Sequence, residues 1–193
     1  MQTSLRGIAK KSALFKEHRF QNLMGILTTG FLMWCWGFLN KKSAPGVDRV
    51  SAGQYAENLE SNISELMEKT RRGCYRAKLV LRRFIPKPGG KLRPLGIPAT
   101  GDKLLQMAVT KILEAIYEPM FLDCSYGYRP RRGALDAIKD LTRQLQFCGY
   151  NFIVEADIRG FFDNINHEIL LGMLEMLNRF VCVESRYRLF NHL

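Results

Sequence analysis

The feature that most constrains the fold is a short apolar run at residues 152–156 that ends on Asp157. A run of this length, with Ile and Val among its residues and turn signals close behind, favours a buried β-strand. Gly160 and two phenylalanines, Phe161 and Phe162, follow almost at once, so the chain is expected to turn sharply there. The pattern predicts a buried strand that presents one carboxylate at its end.

Asp157 is therefore a candidate metal ligand. Mg²⁺ takes oxygen donors and usually keeps waters and substrate phosphates as its remaining ligands, so one carboxylate at a strand end suits this ion. The simpler alternative is that Asp157 caps the turn that follows the strand. The residue type alone leaves both interpretations open.

Positive charge points to a polyanionic partner. The 193 residues include 29 Lys and Arg against 18 Asp and Glu, which gives a formal net charge of +11. Ten of the basic residues lie within residues 69–101, a segment that contains no acid. Such clustering favours salt-sensitive binding of a polyanion. Together with the candidate metal ligand it indicates nucleotidyl transfer on a nucleic acid, and the alternative is a protein that is merely basic.

Cysteine usage and hydropathy limit the cellular setting. The five cysteines are odd in number and none forms a C-x-x-C pair, so we expect neither a zinc site nor a disulfide framework, and the cytoplasm is the expected compartment.

Residues 22–40 carry no charged side chain and are borderline in length for a membrane span. Their three glycines and two threonines favour a buried or partner-facing helix instead, so stable membrane association is not expected.

Apolar residues at helical spacing predict several helices. Residues 1–20 are polar and basic, and they form either a helical arm or a solvated terminus. Ser51 and Asp102 are expected to cap two helices, the second of which stops at Pro119. The predicted helices cover residues 51–73, 102–118, 134–149 and 166–177.

Residues 79–86 and 92–98 are predicted to pair as a hairpin. Both runs have β-like composition, and the Pro-Gly-Gly sequence between them is a strong turn signal. Each run places Arg or Lys among apolar residues, so one face is expected to be buried and the other basic. Pro94 and Pro98 favour an edge position, because proline cannot donate a ladder hydrogen bond.

Four segments in order resemble the N-terminal part of the group II intron-encoded reverse transcriptases, a family that also acts as splicing maturases. They are the loop KSAPGVD at residues 42–48, the hairpin at 84–98, the block CSYGYRP at 124–130 with Arg132 and Gly133, and the palm motif at 155–164. The similarity covers about residues 41–177.

The resemblance implies an α+β fold. It consists of an N-terminal helical extension (1–73), a fingers region (74–150) and the start of the palm of a right-hand polymerase (151–193). The family's second palm motif, Tyr or Phe followed by Ala-Asp-Asp, does not occur in the sequence, so we expect a palm truncated before it.

The resemblance also implies roles in RNA-directed DNA synthesis with Mg²⁺. Asp157 and the backbone carbonyl of Ile158 would hold the metal, and Phe162 would be the steric gate under the sugar of the incoming dNTP. The triphosphate would be gripped by Lys87, Lys91 and Arg93. The alternatives are a core aromatic for Phe162 and a solvated basic turn for the hairpin cations.

Further residues would contact the RNA template and DNA primer. One of Arg82 and Arg83 is expected to face the template backbone. The block that contains Tyr128, Arg129, Arg131 and Arg132 would lie along the template strand, since arginines interleaved with aromatic rings can hold phosphates and stack on bases.

The expected partners are a structured intron RNA and either a second copy of this chain or a complementing chain. One carboxylate cannot supply a two-metal site, so we expect the chain to be inactive alone. The alternative function is a non-catalytic protein that binds intron RNA.

Overall fold

The structure, a computed structural model, describes residues 2–86 and 88–179. Lys87, one of the predicted phosphate-binding residues, therefore lies outside the described residues. The predicted mixture of helix and small sheet is confirmed. The helices are α1 (Gln2–Leu14), α2 (Thr29–Trp36), α3 (Ala52–Glu57), α4 (Leu59–Arg71), α5 (Thr100–Tyr117), α6 (Ala134–Phe147) and α7 (His167–Leu177).

The core of the described part is built around α5, which contacts α1, α2 and α4. One face of α5 is buried, as its amphipathic sequence predicts, and the helix ends just before Pro119 as expected. Helix α5 and the segments packed against it both contribute large apolar side chains. The largest fully buried ones are Phe31, Leu23, Leu32, Ile63, Met67, Leu104 and Ile112.

The prediction of a buried helix within residues 22–40 is confirmed. Thr28 caps α2, because its Oγ1 accepts a hydrogen bond from the backbone N of Phe31 at 3.1 Å. Phe31, Leu32 and Cys35 of this helix are buried, and burial raises the pKa of the Cys35 thiol to about 11. Within the described ranges, no helix is both long and apolar enough to cross a membrane.

The N-terminal segment is a packed helix and not a solvated terminus. Helix α1 lies against α5, and the buried Ser12 hydroxyl donates to the Ile116 carbonyl at 2.5 Å. Arg6, Lys10 and Lys11 of the same helix stay exposed. The basic character of this segment therefore remains available at the surface while its other face joins the core.

Ser51 caps a helix as predicted, in a reciprocal arrangement with Gln54. The Ser51 hydroxyl accepts from the Gln54 backbone N at 3.3 Å, and the Gln54 side chain accepts from the Ser51 N at 2.9 Å. The single helix predicted for 51–73 is wrong in one respect, because Asn58 leaves the helical conformation and separates α3 from α4. Asn62 donates from its Nδ2 to the Tyr55 carbonyl at 2.9 Å across this break.

The predicted cap of α5 is also wrong. The helix begins at Thr100 with Ala99 in the capping position, and Asp102 lies inside its first turn. The Asp102 carboxylate accepts hydrogen bonds from the Tyr75 hydroxyl and the Lys78 backbone N instead. A buried carboxylate needs such donors, and the segment before the hairpin supplies them.

The hairpin is confirmed, with β2 (Leu81–Pro86) antiparallel to β3 (Leu92–Ile97). Gly89 and Gly90 adopt positive φ angles of 85° and 77° in the connecting turn, which glycine does at little cost. The prediction of one buried face is wrong, because nearly all hairpin residues are exposed. The sheet has two strands, and in the described part of the chain no other layer covers either side.

The strand predicted for residues 152–156 is not formed in the structure. Phe152 and Val154 are 89% and 91% exposed. A strand exists through hydrogen bonds to a partner, and none of the described residues pairs with this run. The remaining strands, β1 (Phe20–Gln21) and β4 (Asn178–Arg179), pair with each other in parallel.

Helices α6 and α7 fall where the apolar spacing predicts them. Helix α7 begins at His167, and its first turn is capped by Asn166, whose Oδ1 accepts from the Ile169 backbone N at 3.1 Å. The apolar side chains of α6 remain exposed, Leu135, Ile138 and Leu141 among them.

Candidate nucleic-acid interface

Ion pairing divides the candidate phosphate-binding cations into two groups. Arg129 pairs with Glu118 and Arg132 with Asp123, each at 2.9 Å. The hairpin cations behave differently, because they are exposed and, within the described residues, no hydrogen bond or ion pair uses their side chains. This second group comprises Arg82, Arg83, Lys91 and Arg93.

The strand register decides which hairpin cations share a face. Residues two apart on a strand lie on the same face, and directly opposed residues do too. Ile85 is opposite Arg93 and two residues from Arg83, so Arg83 and Arg93 lie on one face. Arg82 lies on the other face. The hairpin therefore presents two arginines together, without a described carboxylate to neutralise them.

Arg129 holds its own loop together. Its guanidinium donates to the Glu118 carboxylate and to the carbonyls of Leu122 and Ser125, at 2.7–3.2 Å. The hydrogen bond to Glu118 raises the pKa of Arg129, and only 6% of the side chain is exposed. The donors of Arg129 are thus already engaged within the protein, and the template contact predicted for this residue stays a prediction.

The loop anchored by Arg129 presents Tyr128 and Arg131 to solvent. Both adopt left-handed backbone conformations, with φ of 56° and 59°, which cost a non-glycine residue about 1 kcal/mol each. Such strain persists where surrounding contacts fix the chain. Tyr128 is 99% exposed, and within the described ranges Arg131 has no ion-pair partner. A free ring beside a free cation is suited to a base and a phosphate.

Arg132 is intermediate between these groups. Its guanidinium binds the carbonyl and the carboxylate of Asp123 and lies 5.7 Å from the centre of the Tyr126 ring. The side chain is 30% exposed. Arg132 therefore helps to shape the loop and keeps part of its surface accessible.

The segment around Asp157 is exposed, and a tight turn follows it. Gly160 has a φ of 60°, and the Asn164 side chain donates to its carbonyl at 2.7 Å. Asn164, not Asp157, thus closes this turn, since in the described structure no hydrogen bond uses the Asp157 carboxylate. Phe162 is 70% exposed, so it is not a core aromatic in this structure.

The candidate metal ligands do not belong to a larger cluster of ligating side chains in the described part of the chain. Among them, no group of three or more His, Cys, Asp or Glu side chains is placed to hold a metal ion. Asp157 could supply one oxygen ligand, and the carbonyl of Ile158 another. Waters and substrate phosphates are the other ligands that Mg²⁺ usually keeps.

The loop at residues 42–48 supports the base of the hairpin. An added Cβ on Gly46 would lie 2.5 Å from the Ala99 N, so the two backbones touch where β3 leads into α5. Lys103 donates to the Ala44 carbonyl at 2.6 Å, and Asp48 pairs with Lys78 at 3.0 Å. These contacts tie the loop to segments on both sides of the hairpin.

Three residues have roles at these surfaces that were not predicted from the sequence. Glu118 and Asn164 act through contacts 11 and 4 residues away, and Asp102 through contacts more than 20 residues away. For Glu118 a signal exists, since an acid at the end of a helix precedes a loop rich in arginine. Nothing in the local sequence of Asp102 indicates its partners.

Comparison with known proteins identifies a matching protein family and several similar proteins. A family model described as reverse transcriptase (RNA-dependent DNA polymerase) matches residues 85–189. The group II intron-encoded protein LtrA of Lactococcus lactis subsp. cremoris is 44% identical over 118 residues, which are 61% of this chain and 19% of LtrA. Protein YkfC of Escherichia coli (strain K12) is 37% identical over 138 residues, 69% of this chain and 36% of YkfC.

A third relative is also named for an intron. The uncharacterized 91 kDa protein in the cob intron of Schizosaccharomyces pombe is 39% identical over 93 residues, 48% of this chain and 11% of that protein. This chain thus spans about a fifth of LtrA's length and about a third of YkfC's.

Proposed function

Because this chain belongs to the reverse transcriptase family, we propose that it binds an RNA template, a DNA primer and a dNTP as part of an RNA-directed DNA polymerase. The resemblance to the group II intron-encoded enzymes is confirmed by the family match and by the similarity to LtrA. The proposed natural RNA is accordingly a structured intron, bound in the cytoplasm. The polymerase would be of the right-hand type, with the hairpin in its fingers.

The observation that carries the proposal is the pair of unneutralised arginines on one hairpin face. Arg83 and Arg93 share this face, and no described carboxylate pairs with either of them. Arginine can bind a phosphate through two parallel hydrogen bonds, whereas lysine acts as a point charge. Arg93 would hold the triphosphate with Lys91 and with Lys87. Because Arg83 and Arg93 share a face, both arginines would also contact the backbone of the bound template–primer.

The proposed chemistry needs more than the described residues provide. Mg²⁺, when bound, would activate the primer 3′-oxygen and stabilise the leaving pyrophosphate, and Asp157 with the carbonyl of Ile158 would contribute ligands to it. Additional carboxylates could come from a longer form of this protein or from a complementing chain. We expect no DNA synthesis by the present chain alone.

A second candidate function is intron RNA binding without catalysis. It is favoured by the setting of Asp157, since within the described part no group of three or more His, Cys, Asp or Glu side chains is placed to hold a metal ion. Measurements of RNA binding and of Mg²⁺-dependent primer extension on a longer or complemented form that contains this segment separate the two functions. Extension by that form that is lost in Asp157→Ala would overturn the second candidate, whereas RNA binding without extension would support it.

The hairpin proposal predicts a difference between its two faces. Arg83→Gln and Arg93→Gln should each weaken binding of an RNA–DNA template–primer more than Arg82→Gln does, although all three remove one positive charge. Each lost phosphate contact should make the slope of log Kobs against log salt concentration shallower by about 0.7–0.9. Fluorescence anisotropy titrations at several salt concentrations measure both effects.

Arg82→Gln is the matched control, because Arg82 is adjacent in sequence and equally exposed but lies on the opposite face. Equal losses for all three variants would mean that the hairpin acts only through its total charge. No loss for Arg83→Gln or Arg93→Gln would reject the interface.

Phe162 is proposed to select the sugar. In a complete polymerase that contains this segment, Phe162→Ala should raise the incorporation of ribonucleotides, because the ring would no longer exclude a 2′-hydroxyl. Primer extension with dNTP and rNTP in competition measures this ratio. Phe161→Ala is the control, since its ring lies 5.2 Å from that of Phe162 in an edge-to-face contact. Unchanged sugar selectivity in Phe162→Ala would exclude the gating role.

A further inference from the structure

The segments that enter and leave the hairpin meet at one buried carboxylate. Asp102 is 5% exposed and accepts hydrogen bonds from the Tyr75 hydroxyl and from the Lys78 backbone N, the latter at 3.2 Å. Tyr75 and Lys78 belong to the segment that leads into β2, whereas Asp102 follows β3 by five residues. A single side chain therefore joins the two ends of the hairpin.

Beyond its base, the hairpin makes few contacts that could fix its orientation relative to the helical core. Its residues are nearly all exposed, and in the described part of the chain β2 and β3 pair only with each other. Its orientation relative to the helical core must then be set at its base. A buried, charge-assisted hydrogen-bond network is the kind of contact that fixes a unique arrangement.

A second set of contacts also holds the segment at the base of the hairpin in place. Lys78 extends its Nζ to the Asp48 carboxylate at 3.0 Å, and the other Asp48 oxygen accepts from the Val50 N at 3.2 Å. Thr100, two residues before Asp102, donates to the Val50 carbonyl at 2.8 Å. The loop before α3 and the first turn of α5 thus clamp the segment that precedes β2.

We propose that Asp102 is a positioning residue, which fixes the direction of the hairpin and thereby places Arg93 against the bound nucleic acid or nucleotide. This inference rests on the proposed function, because it acts through the hairpin cations. Burial, and then the hydrogen bond to Asp102, raise the pKa of Tyr75, so the Tyr75 hydroxyl keeps its proton and remains a donor. Asp102 itself touches no substrate in this role.

The direction in which one substitution changes the affinity for template–primer separates a positioning role from a simple charge effect. Asp102→Asn removes a negative charge from a protein that binds a polyanion, so charge alone would strengthen template–primer binding. Loss of positioning should instead weaken it by about threefold or more. Glu57→Gln, an exposed change of the same charge in α3, supplies the charge baseline. Tyr75→Phe removes one hydroxyl without altering charge and should weaken binding in the same direction.

A double-mutant cycle with Arg93→Gln tests whether Asp102 acts through the hairpin. If it does, Asp102→Asn should cause little further loss once Arg93 is already glutamine. Without nucleic acid, the backbone amides of residues 79–98 should exchange faster in both Asp102→Asn and Tyr75→Phe than in the unaltered protein. An unchanged midpoint of unfolding, followed by tryptophan fluorescence, checks that the helical core of each variant is intact.

The outcomes distinguish this inference from the proposed function. If Arg93→Gln weakens binding and Asp102→Asn adds its full effect to it, or strengthens binding as Glu57→Gln does, only the positioning role is overturned. If Arg93→Gln has no effect on binding, the hairpin interface fails and the positioning role fails with it. If Asp102→Asn does not fold, Tyr75→Phe and its double-mutant cycle with Arg93→Gln replace it. A full additional loss of binding by Tyr75→Phe would then overturn the positioning role.

Discussion

Replacing Gly46 with alanine should lower the free energy of unfolding by about 3 kcal/mol, at the upper end of the cost of overpacking. The added Cβ would lie 2.5 Å from the N and 2.6 Å from the Cα of Ala99, and 2.7 Å from the carbonyl carbon of Pro98. These are backbone atoms, so no rotamer change can relieve the contact. The loop cannot simply retreat either, because Lys103 holds it through the Ala44 carbonyl.

Urea unfolding followed by tryptophan fluorescence measures this effect. Trp34 and Trp36 both lie in α2 and pack against core aromatics, so their emission reports on the helical core. Gly7→Ala is the control, because nothing lies within 4 Å of a Cβ added at Gly7 in α1. There, alanine should stabilise the helix by up to about 1 kcal/mol. An unchanged midpoint for Gly46→Ala would contradict the close approach of the two backbones.

The helical core could be predicted from the sequence because its determinants are local. Ser51 and Gln54 form their cap within four residues, and the apolar face of α5 repeats at helical spacing. The break at Asn58 escaped prediction, since the apolar spacing continues from α3 into α4. Periodicity indicates which face is buried, but it does not report one residue that leaves the helical conformation.

The β-structure depended on partners that local sequence does not specify. The hairpin formed, because its turn and both strands lie within 17 residues of one another. The run at residues 152–156 has the composition of a buried strand, yet in the described structure it has no neighbour to pair with. Strand-like composition indicates that a segment can pair with a neighbouring strand. Only the tertiary structure shows whether such a strand is present.

The same distinction applies to the candidate site. The sequence analysis named Arg82, Arg83, Arg129 and Arg131 as candidate nucleic-acid contacts and did not distinguish Arg82 from Arg83. The structure separates them, since Arg129 is neutralised by Glu118 whereas the others meet no described carboxylate. The register then separates Arg82 from Arg83. Residue type predicted the chemistry of these side chains, and spatial pairing determines which of them are available to a ligand.

Arg129→Met should loosen the loop at residues 121–133 and leave the rest of the protein folded. The substitution removes the guanidinium that binds Glu118 and the carbonyls of Leu122 and Ser125, and methionine fills similar space without a donor. The Glu118 carboxylate and the two carbonyls would lose the donor that they share, and this favours local opening of the loop. We expect backbone amides in this loop to exchange with deuterium about tenfold faster, as measured by mass spectrometry of the native protein.

Two matched variants sharpen the prediction. Arg129→Lys keeps the charge but lacks the planar fork, so it should restore only part of the protection. Arg131→Met alters an exposed arginine of the same loop, for which the described residues offer no carboxylate, and its exchange should match the unaltered protein. Arg131→Met should instead weaken binding of the template–primer, because Arg131 faces solvent beside the free Tyr128 ring. Faster exchange of this loop in Arg131→Met, or unchanged exchange in Arg129→Met, would show that the two arginines do not divide the structural and binding roles in this way.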